Sequence, residues 1–503
     1  MNHGIRSILT SGFEGTLIEI ECQLSNGLPT IIIVGLGNKA IDEAKERIRS
    51  AFASSKIAMP RKRITINLAP ADIPKESTSL DLAIAAAILR ASSDKIQHNT
   101  DESILIGELG LNGDVRPVRG VIGKIIAASR LGVHSFIVPW ANVSQASLVP
   151  NVTVYPIKHI KELSLHLLGE QQLKPYAANL TIPAAKTTHS SLSSVAGQAQ
   201  AKRALEIAAA GGHNILLCGP PGTGKSMLAK ALPGLLPELT LQEILEVTHL
   251  HSLASSMYDR LITSRPFRSP HHSASNASIV GGGNNVLPGE ITLSHRGVLF
   301  MDELPEFDRE TIEALRQPLE DKTITIARAK RTVNYPANFI MVATANPCPC
   351  GYYGSSKECQ CTPARVQQYQ RKLSGPILDR IDLFIQVDAI DHSLLLSPKD
   401  ESSEDDARQD RINRSRKSQA QRLKSSERLN ATMTNEEVRA CSISDEAANL
   451  LNKAASTLDI SARAYIRILK VARTIADLEQ SPTIVDSHIS EALQYRELRM
   501  INQ

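Results

Sequence analysis

Across 503 residues, 56 Lys and Arg face 52 Asp and Glu, so the net charge of +4 produces no strong overall field, and contact with a polyanion must come from local basic clusters. At about 150 residues per domain the chain exceeds a single core, and three domains are expected. No apolar run reaches the ~20 residues needed to span a bilayer and Met1–Arg6 opens no signal-type apolar core, so a cytoplasmic protein without membrane contact is expected.

Residues 1–168 alternate short β-rich runs (Thr30 to Val34, Arg63 to Leu68, Ile104 to Glu108, Phe136 to Val138) with helical patterns, the signature of a compact α/β domain. The stretch Ala40 to Phe52 sets Ile41, Ala44, Ile48 and Phe52 along one stripe, as in a packing helix. Residues 169–191, rich in Gln, Ala, Thr and Ser and carrying Pro175 and Pro183, read as a linker.

Residues 192–396 hold the densest chemistry. The apolar run Ile215 to Cys218 leads into Gly219, Pro220, Pro221, Gly222, Thr223, Gly224, Lys225 and Ser226, followed by a helix-forming stretch. This is a phosphate-binding loop in its strand–loop–helix setting: backbone N–H groups and a helix N-terminus face the phosphates of ATP, Lys225 neutralises them and Ser226 ligates Mg²⁺. A second apolar strand, Val298 to Met301, ends in Asp302 and Glu303. Asp302 is expected to hold Mg²⁺ through water and Glu303 to act as general base. A third, Phe339 to Thr344, ends in Ala345 and Asn346, which is placed to orient the attacking water. Between them, Thr323 to Asn334 reads as a β-hairpin whose tip carries Arg328, Lys330 and Arg331.

Four cysteines, Cys348, Cys350, Cys359 and Cys361, fall within fourteen residues as two Cys-x-Cys pairs, with Gly351 and Gly354 tightening the loop between them. Four thiolates suffice for closed, structural Zn²⁺, although the common ribbon spacing is Cys-x-x-Cys; reduced thiols or a redox switch are the competing readings. Further on, Arg380 lies between Asp379 and Asp382, either as an arginine reaching a neighbouring subunit's γ-phosphate or as one half of a surface ion pair. Residues 397–431 place acids before bases and read as a solvated helix or connector, with nucleic-acid contact as the alternative. Residues 432–503 read as a small α-helical lid, in which Arg463 opens a helix where a cation senses nucleotide.

These motifs, together with Asn-Leu-Ala-Pro-Ala-Asp at 67 to 72, Arg-Pro-Phe-Arg-Ser-Pro-His-His at 265 to 272 and Asn-Pro-Cys-Pro-Cys-Gly at 346 to 351, resemble AAA+ ATPases of the magnesium-chelatase-like branch, and more closely the bacterial ComM (YifB) family of branch-migration helicases acting in natural transformation. The resemblance implies an AAA+ core with an N-terminal Lon-protease-like α/β domain and a C-terminal helical lid. It also implies a homo-hexameric ring, DNA as partner alongside recombination proteins, Asn346 as first sensor, Arg380 as trans arginine finger and Arg463 as second sensor. In related ring helicases the hairpin points into the pore, so Arg328, Lys330 and Arg331 are expected to grip phosphates; an ordinary exposed hairpin is the alternative. The segment holding Arg265, Arg268, His271, His272 and Gly281 to Gly283 resembles the insert of that branch, a second pore element.

Ser79 aligns with the Lon nucleophile, but the position of its activating lysine holds Ile122, with Lys124 two residues away. A serine without a base in reach stays a weak nucleophile, so an assembly or DNA-contact role is expected. Two function classes remain: a DNA motor, or a chaperone-like remodelling ATPase or Lon-like protease.

Overall fold

The computed structural model describes residues 4–11, 14–35, 39–72, 75, 77–93, 96, 102–177, 190–254, 261–283, 286–328, 331–355, 357–373, 375–389 and 401–496. Its contacts define two compact units, Met1–Ala184 with Thr240–Ile262, and Ala185–Leu239 with Thr263–Gln503.

The first unit is built on a seven-stranded mixed sheet. Its strands are β1 (Ile5–Ser11), β2 (Glu14–Ser25), β3 (Thr30–Val34), β4 (Arg63–Ala69), β5 (Ser103–Leu105), β6 (Ser135–Pro139) and β7 (Thr153–Ile157), in the order β3-β4-β2-β1-β5-β6-β7. Alternation fixes the buried face: Ile18 and Ile20 of β2 and Ile64, Ile66 and Leu68 of β4 point into the core. The expected packing helix is α1 (Lys39–Ser54), with Ile41, Ala44, Ile48 and Phe52 all buried. Beside it, α2 (Asp81–Ser92) is buried along Asp81 to Leu89, and Asp81 takes a 2.6 Å bond from Arg47 of α1. Burial nonetheless pushes the Asp81 carboxyl up to about 6, against the pull of Arg47.

The helix Leu241–Ala254 lies in sequence inside the expected nucleotide-binding domain, yet it belongs to this first unit. It packs on α3 (Val121–Arg130), where Leu245 joins Val121, Ile122 and Ile125. Gly123 is what admits it: a Cβ there would stand 2.1 Å from Cε1 of His249.

The second unit holds a five-stranded parallel sheet. Its strands are β8 (Ile215–Cys218), β9 (Phe267–Arg268), β10 (Val298–Met301), β13 (Ile340–Ala345) and β14 (Leu383–Gln386), ordered β9-β10-β13-β8-β14, while β11 (Thr323–Arg328) and β12 (Arg331–Pro336) form a separate antiparallel hairpin. The central strands are short, continuous apolar runs because a parallel sheet is covered on both faces. The helices Ala199–Gly211 and Lys225–Leu235 share one core with the lid helices Asp445–Thr457, Ala462–Leu478 and Asp486–Gln494.

The charged stretch after residue 397, expected as a solvated helix or connector, is helical but not solvated on every side. Glu401–Leu423 is one helix whose stripe Ile412, Ser415, Gln419 and Leu423 is buried. Three of its arginines have partners in the core domain or lid: Arg411 bonds Glu206 at 2.7 Å, Arg416 the Ala209 carbonyl at 2.6 Å and Arg422 Asp477 at 2.6 Å. Hydrogen bonds also satisfy Gln419, which donates to the Ala210 carbonyl at 3.1 Å and accepts from the Asn430 N–H at 2.9 Å.

Candidate functional site

The phosphate loop leaves β8 at Cys218, and the helix Lys225–Leu235 starts where it ends, so the unpaired N–H groups of that first turn face the loop's cradle. Gly222 and Gly224 adopt left-handed φ of +81° and +88°. Gly219 serves differently: a Cβ there would meet the Val387 carbonyl at 2.1 Å, so this glycine admits the chain leaving β14. Lys225 Nζ donates to the Gly219 and Pro220 carbonyls at 2.6 and 2.7 Å and to Asn346 Oδ1 at 3.2 Å. Burial lowers its pKa, with Asp302 and Glu303 among the charges that oppose the fall.

Both acids stand beside the loop. Asp302 Oδ2 accepts from Ser226 Oγ at 3.3 Å, and Glu303 Oε1 accepts from Asn346 Nδ2 at 3.2 Å. Lys225, Ser226, Asp302, Glu303 and Asn346 therefore lie together, drawn from the C-terminal ends of two neighbouring parallel strands, β10 and β13, and the start of the phosphate-loop helix. Clefts at such strand ends are where open parallel sheets bind ligands.

Thr344, to which the sequence reading gave no role, joins the acids. Its fully buried hydroxyl donates to Asp302 Oδ1 at 2.6 Å and accepts from the Glu303 N–H at 2.8 Å. The available signal was strand periodicity, since Thr344 lies two residues before Asn346 and so shares its face of β13.

Arg380 and Arg463 are elsewhere. They line a cavity of about 980 Å³ with Asp379, Asp382, Arg467 and Lys470, and none of residues 219–226 lines it. Arg380 pairs with Glu320 and donates to the Pro376 carbonyl at 2.6 Å, while the exposed Arg463 bonds Asp379 at 3.2 Å. The ion-pair partner the sequence offered, Asp379, is thus taken by Arg463. Asp382 instead bonds buried His213 at 3.0 Å, whose other ring nitrogen meets Thr474 of the lid at 2.8 Å.

The sulfurs of Cys348, Cys350, Cys359 and Cys361 lie within 4.8 Å of one another, the geometry of a four-ligand metal site. The Tyr352 N–H and the neighbouring Cys348 pull the Cys350 thiol down, while burial and the neighbouring sulfurs push Cys359 and Cys361 up. Among the described residues no other group of His, Cys, Asp and Glu gathers in this way.

Of the hairpin, Ile324, Ile326, Val333 and Tyr335 form a buried face, and the Tyr335 hydroxyl donates to the Val286 carbonyl at 2.9 Å. A Cβ on Gly281 would meet Ile326 at 2.6 Å, so hairpin and insert pack together. Arg328 and Arg331 are opposite one another at the strand ends, and Lys330 lies outside the described residues. Within the insert, Arg268 makes a bidentate pair with Glu290 at 2.5 and 2.6 Å and Arg265 donates to the Pro237 and Arg296 carbonyls at 2.7 and 2.8 Å, so both are structural.

In the first unit, Ser79 is buried and its hydroxyl shares a 2.7 Å bond with Ser77. Lys124 Nζ donates to the Ile8 carbonyl at 3.3 Å, and Ile122 is buried in the core.

A phosphate loop on a parallel sheet, an asparagine at the end of the adjacent strand β13, an acid pair at the end of the next strand β10 and a helical lid define an AAA+-type P-loop core. The family models agree: residues 191–395 match "Magnesium chelatase, subunit ChlI", residues 20–142 match "Subunit ChlI of Mg-chelatase" and residues 401–496 match "Magnesium chelatase, subunit ChlI C-terminal". The chain is 42% identical to Competence protein ComM of Haemophilus influenzae, covering 98% of this chain and 97% of the relative. It is also 41% identical to YifB of Salmonella typhimurium, covering 96% and 95%. Lon protease 2 of Herpetosiphon aurantiacus is 27% identical over 30% of this chain and 20% of its own length. This chain belongs to the ComM/YifB family of magnesium-chelatase-like AAA+ proteins, with a Lon-like N-terminal region. That family implies ATP and Mg²⁺ as ligands of the site. Among the described residues no helix is long and apolar enough to cross a membrane.

Proposed function

We propose that this chain is an ATP-driven DNA motor, assembled as a ring of identical subunits, that promotes branch migration during recombination of incoming DNA. The observation that carries the reading is the linked set Lys225, Asn346, Glu303, Thr344, Asp302 and Ser226, joined by hydrogen bonds of 2.6 to 3.3 Å. ATP with Mg²⁺ supplies the phosphoanhydride to be broken. Lys225 and the loop N–H groups bind its phosphates, Ser226 and Asp302 hold the metal, and Asn346 orients the water from which Glu303 removes a proton.

Arg380 and Arg463 share a cavity apart from their own phosphate loop, which supports a role for both on a neighbouring subunit's nucleotide. The hairpin of Arg328, Lys330 and Arg331 is the element we assign to DNA phosphates, and the cysteine cluster we assign to structural Zn²⁺. The bonding of Ser79 and Lys124 to other groups favours a non-proteolytic first unit. The name of the Haemophilus relative, a competence protein, supports the place in DNA uptake.

A labelled four-way DNA junction mixed with the protein and ATP tests this. ATP-dependent exchange of arms that is lost in Glu303→Gln and weakens steeply with salt is expected. Absence of exchange by a nucleotide-hydrolysing, DNA-free ring would favour a chelatase-type remodelling ATPase instead.

A further inference from the structure

The chain that leaves β13 at Asn346 runs directly into the cysteine loop and returns at the helix Pro363–Gln370. Cys348, two residues after Asn346, is fully buried. Gln370 Nε2 donates to the Pro347 carbonyl at 3.1 Å. Between these anchors the loop crosses the phosphate loop: Gly351 stands at φ +85°, and a Cβ on it would fall 2.6 Å from Cδ of Pro221.

The sulfur separations match a metal rather than a disulfide. Cys348 lies 3.3 Å from Cys350 and 3.7 Å from Cys359, and Cys350 lies 3.6 Å from Cys359. A tetrahedron with Zn–S of about 2.3 Å has an edge of about 3.8 Å, whereas a disulfide bond is about 2.0 Å. Four thiolates fill that sphere and leave no position for substrate.

We propose that the tetrathiolate site, loaded with Zn²⁺, is a latch on nucleotide binding: the metal fixes the Cys348–Cys361 loop, and the loop holds Pro221 and Asn346 in the geometry that receives the phosphates. This rests on the zinc and nucleotide readings above. The cysteine-to-cysteine segment carries Gly351 and Gly354 and has little apolar material of its own, so the metal supplies the order that a core would otherwise supply. Metal supply then governs whether the motor can load fuel, although the metal touches neither fuel nor water.

The test measures zinc content, exchange protection of residues 219–224 and affinity for a fluorescent ADP analogue on the full chain. Native protein is expected to carry one zinc per chain. Stripping it with a mercurial and a chelator should speed exchange at 219–224 and weaken nucleotide about tenfold, and zinc should restore both. Gly351→Ala should keep its zinc yet show the same two losses, which separates the latch from a failure to fold. Lys225→Ala should lose nucleotide while keeping zinc and loop protection. Metal-free native protein that takes up no zinc, or stripped protein with unchanged exchange and affinity, overturns the latch. Zinc-loaded protein that binds no nucleotide, but whose exchange at 219–224 still depends on zinc, overturns the ATPase reading and the nucleotide half of the latch, and leaves only the ordering of the loop by zinc standing.

Discussion

Glu303 occupies a left-handed conformation, φ +53° and ψ +55°, which costs a non-glycine residue about 1–2 kcal/mol. The Thr344 hydroxyl holds it there through the backbone while aiming Asp302 through the side chain. Thr344→Val keeps the shape and removes both bonds, so steady-state ATP turnover should fall about tenfold or more, with nucleotide affinity changed less. Glu303→Gln should cost about 10²–10⁴-fold in turnover and leave binding intact. Titration gives a second residue-scale prediction. Burial pulls the Lys124 ammonium down to about 8, so the unfolded chain, titrating near 10.5, binds more protons between those values. Lys124 therefore destabilises the first unit below pH 8, and the penalty is relieved as pH rises towards 10.5. Lys124→Met should stabilise that unit by on the order of 2 kcal/mol at pH 7, with the gain fading as pH rises from about 8 to 10.5, as read by exchange in α3 and its neighbours. At this scale the sequence made the acid pair and the asparagine legible because motif spacing encodes them. Thr344 was hidden because a threonine ending a strand looks like any β-branched strand residue.

Helices and strands were legible wherever apolar periodicity carried them, as in α1 and the runs that became β8, β10 and β13. The helix Glu401–Leu423 shows where that signal fails. Its buried stripe contains Ser415 and Gln419, so hydropathy reads it as solvated, and only the bonds to Ala210 and Asn430 reveal why polar groups tolerate burial there. Ile412→Ala should cost about 2–4 kcal/mol in the second unit, while exposed Lys417→Ala on the opposite side should stay within about 0.5 kcal/mol; denaturant titration of the two variants distinguishes a packed helix from a connector. The pairing of hairpin with insert was equally invisible, because Gly281 and Ile326 are brought together by close backbone approach rather than by any local pattern.

For the molecule as a whole, the phosphate loop and the two arginines occupy different places on one chain, and a complete site on our reading takes two chains. Arg380→Ala and Lys225→Ala should each reduce turnover, the former by about a thousandfold. Mixing the two inactive proteins should recover measurable turnover, since a Lys225-bearing loop then meets an Arg380 from the other variant. Failure to recover, with mixed oligomers verified, would assign Arg380 to its Glu320 pair alone.

The path of the chain around Leu241–Ala254 carries a practical corollary. The backbone departs after the phosphate-loop helix, contributes one helix to the other unit, and comes back just ahead of β9. The amino-terminal region is therefore no detachable appendage. A fragment started at residue 185 would strand Leu245 and His249 without their α3 seat, leaving a greasy amphipathic segment in water, and such a truncation should precipitate unless residues 240–262 are replaced by a short polar bridge.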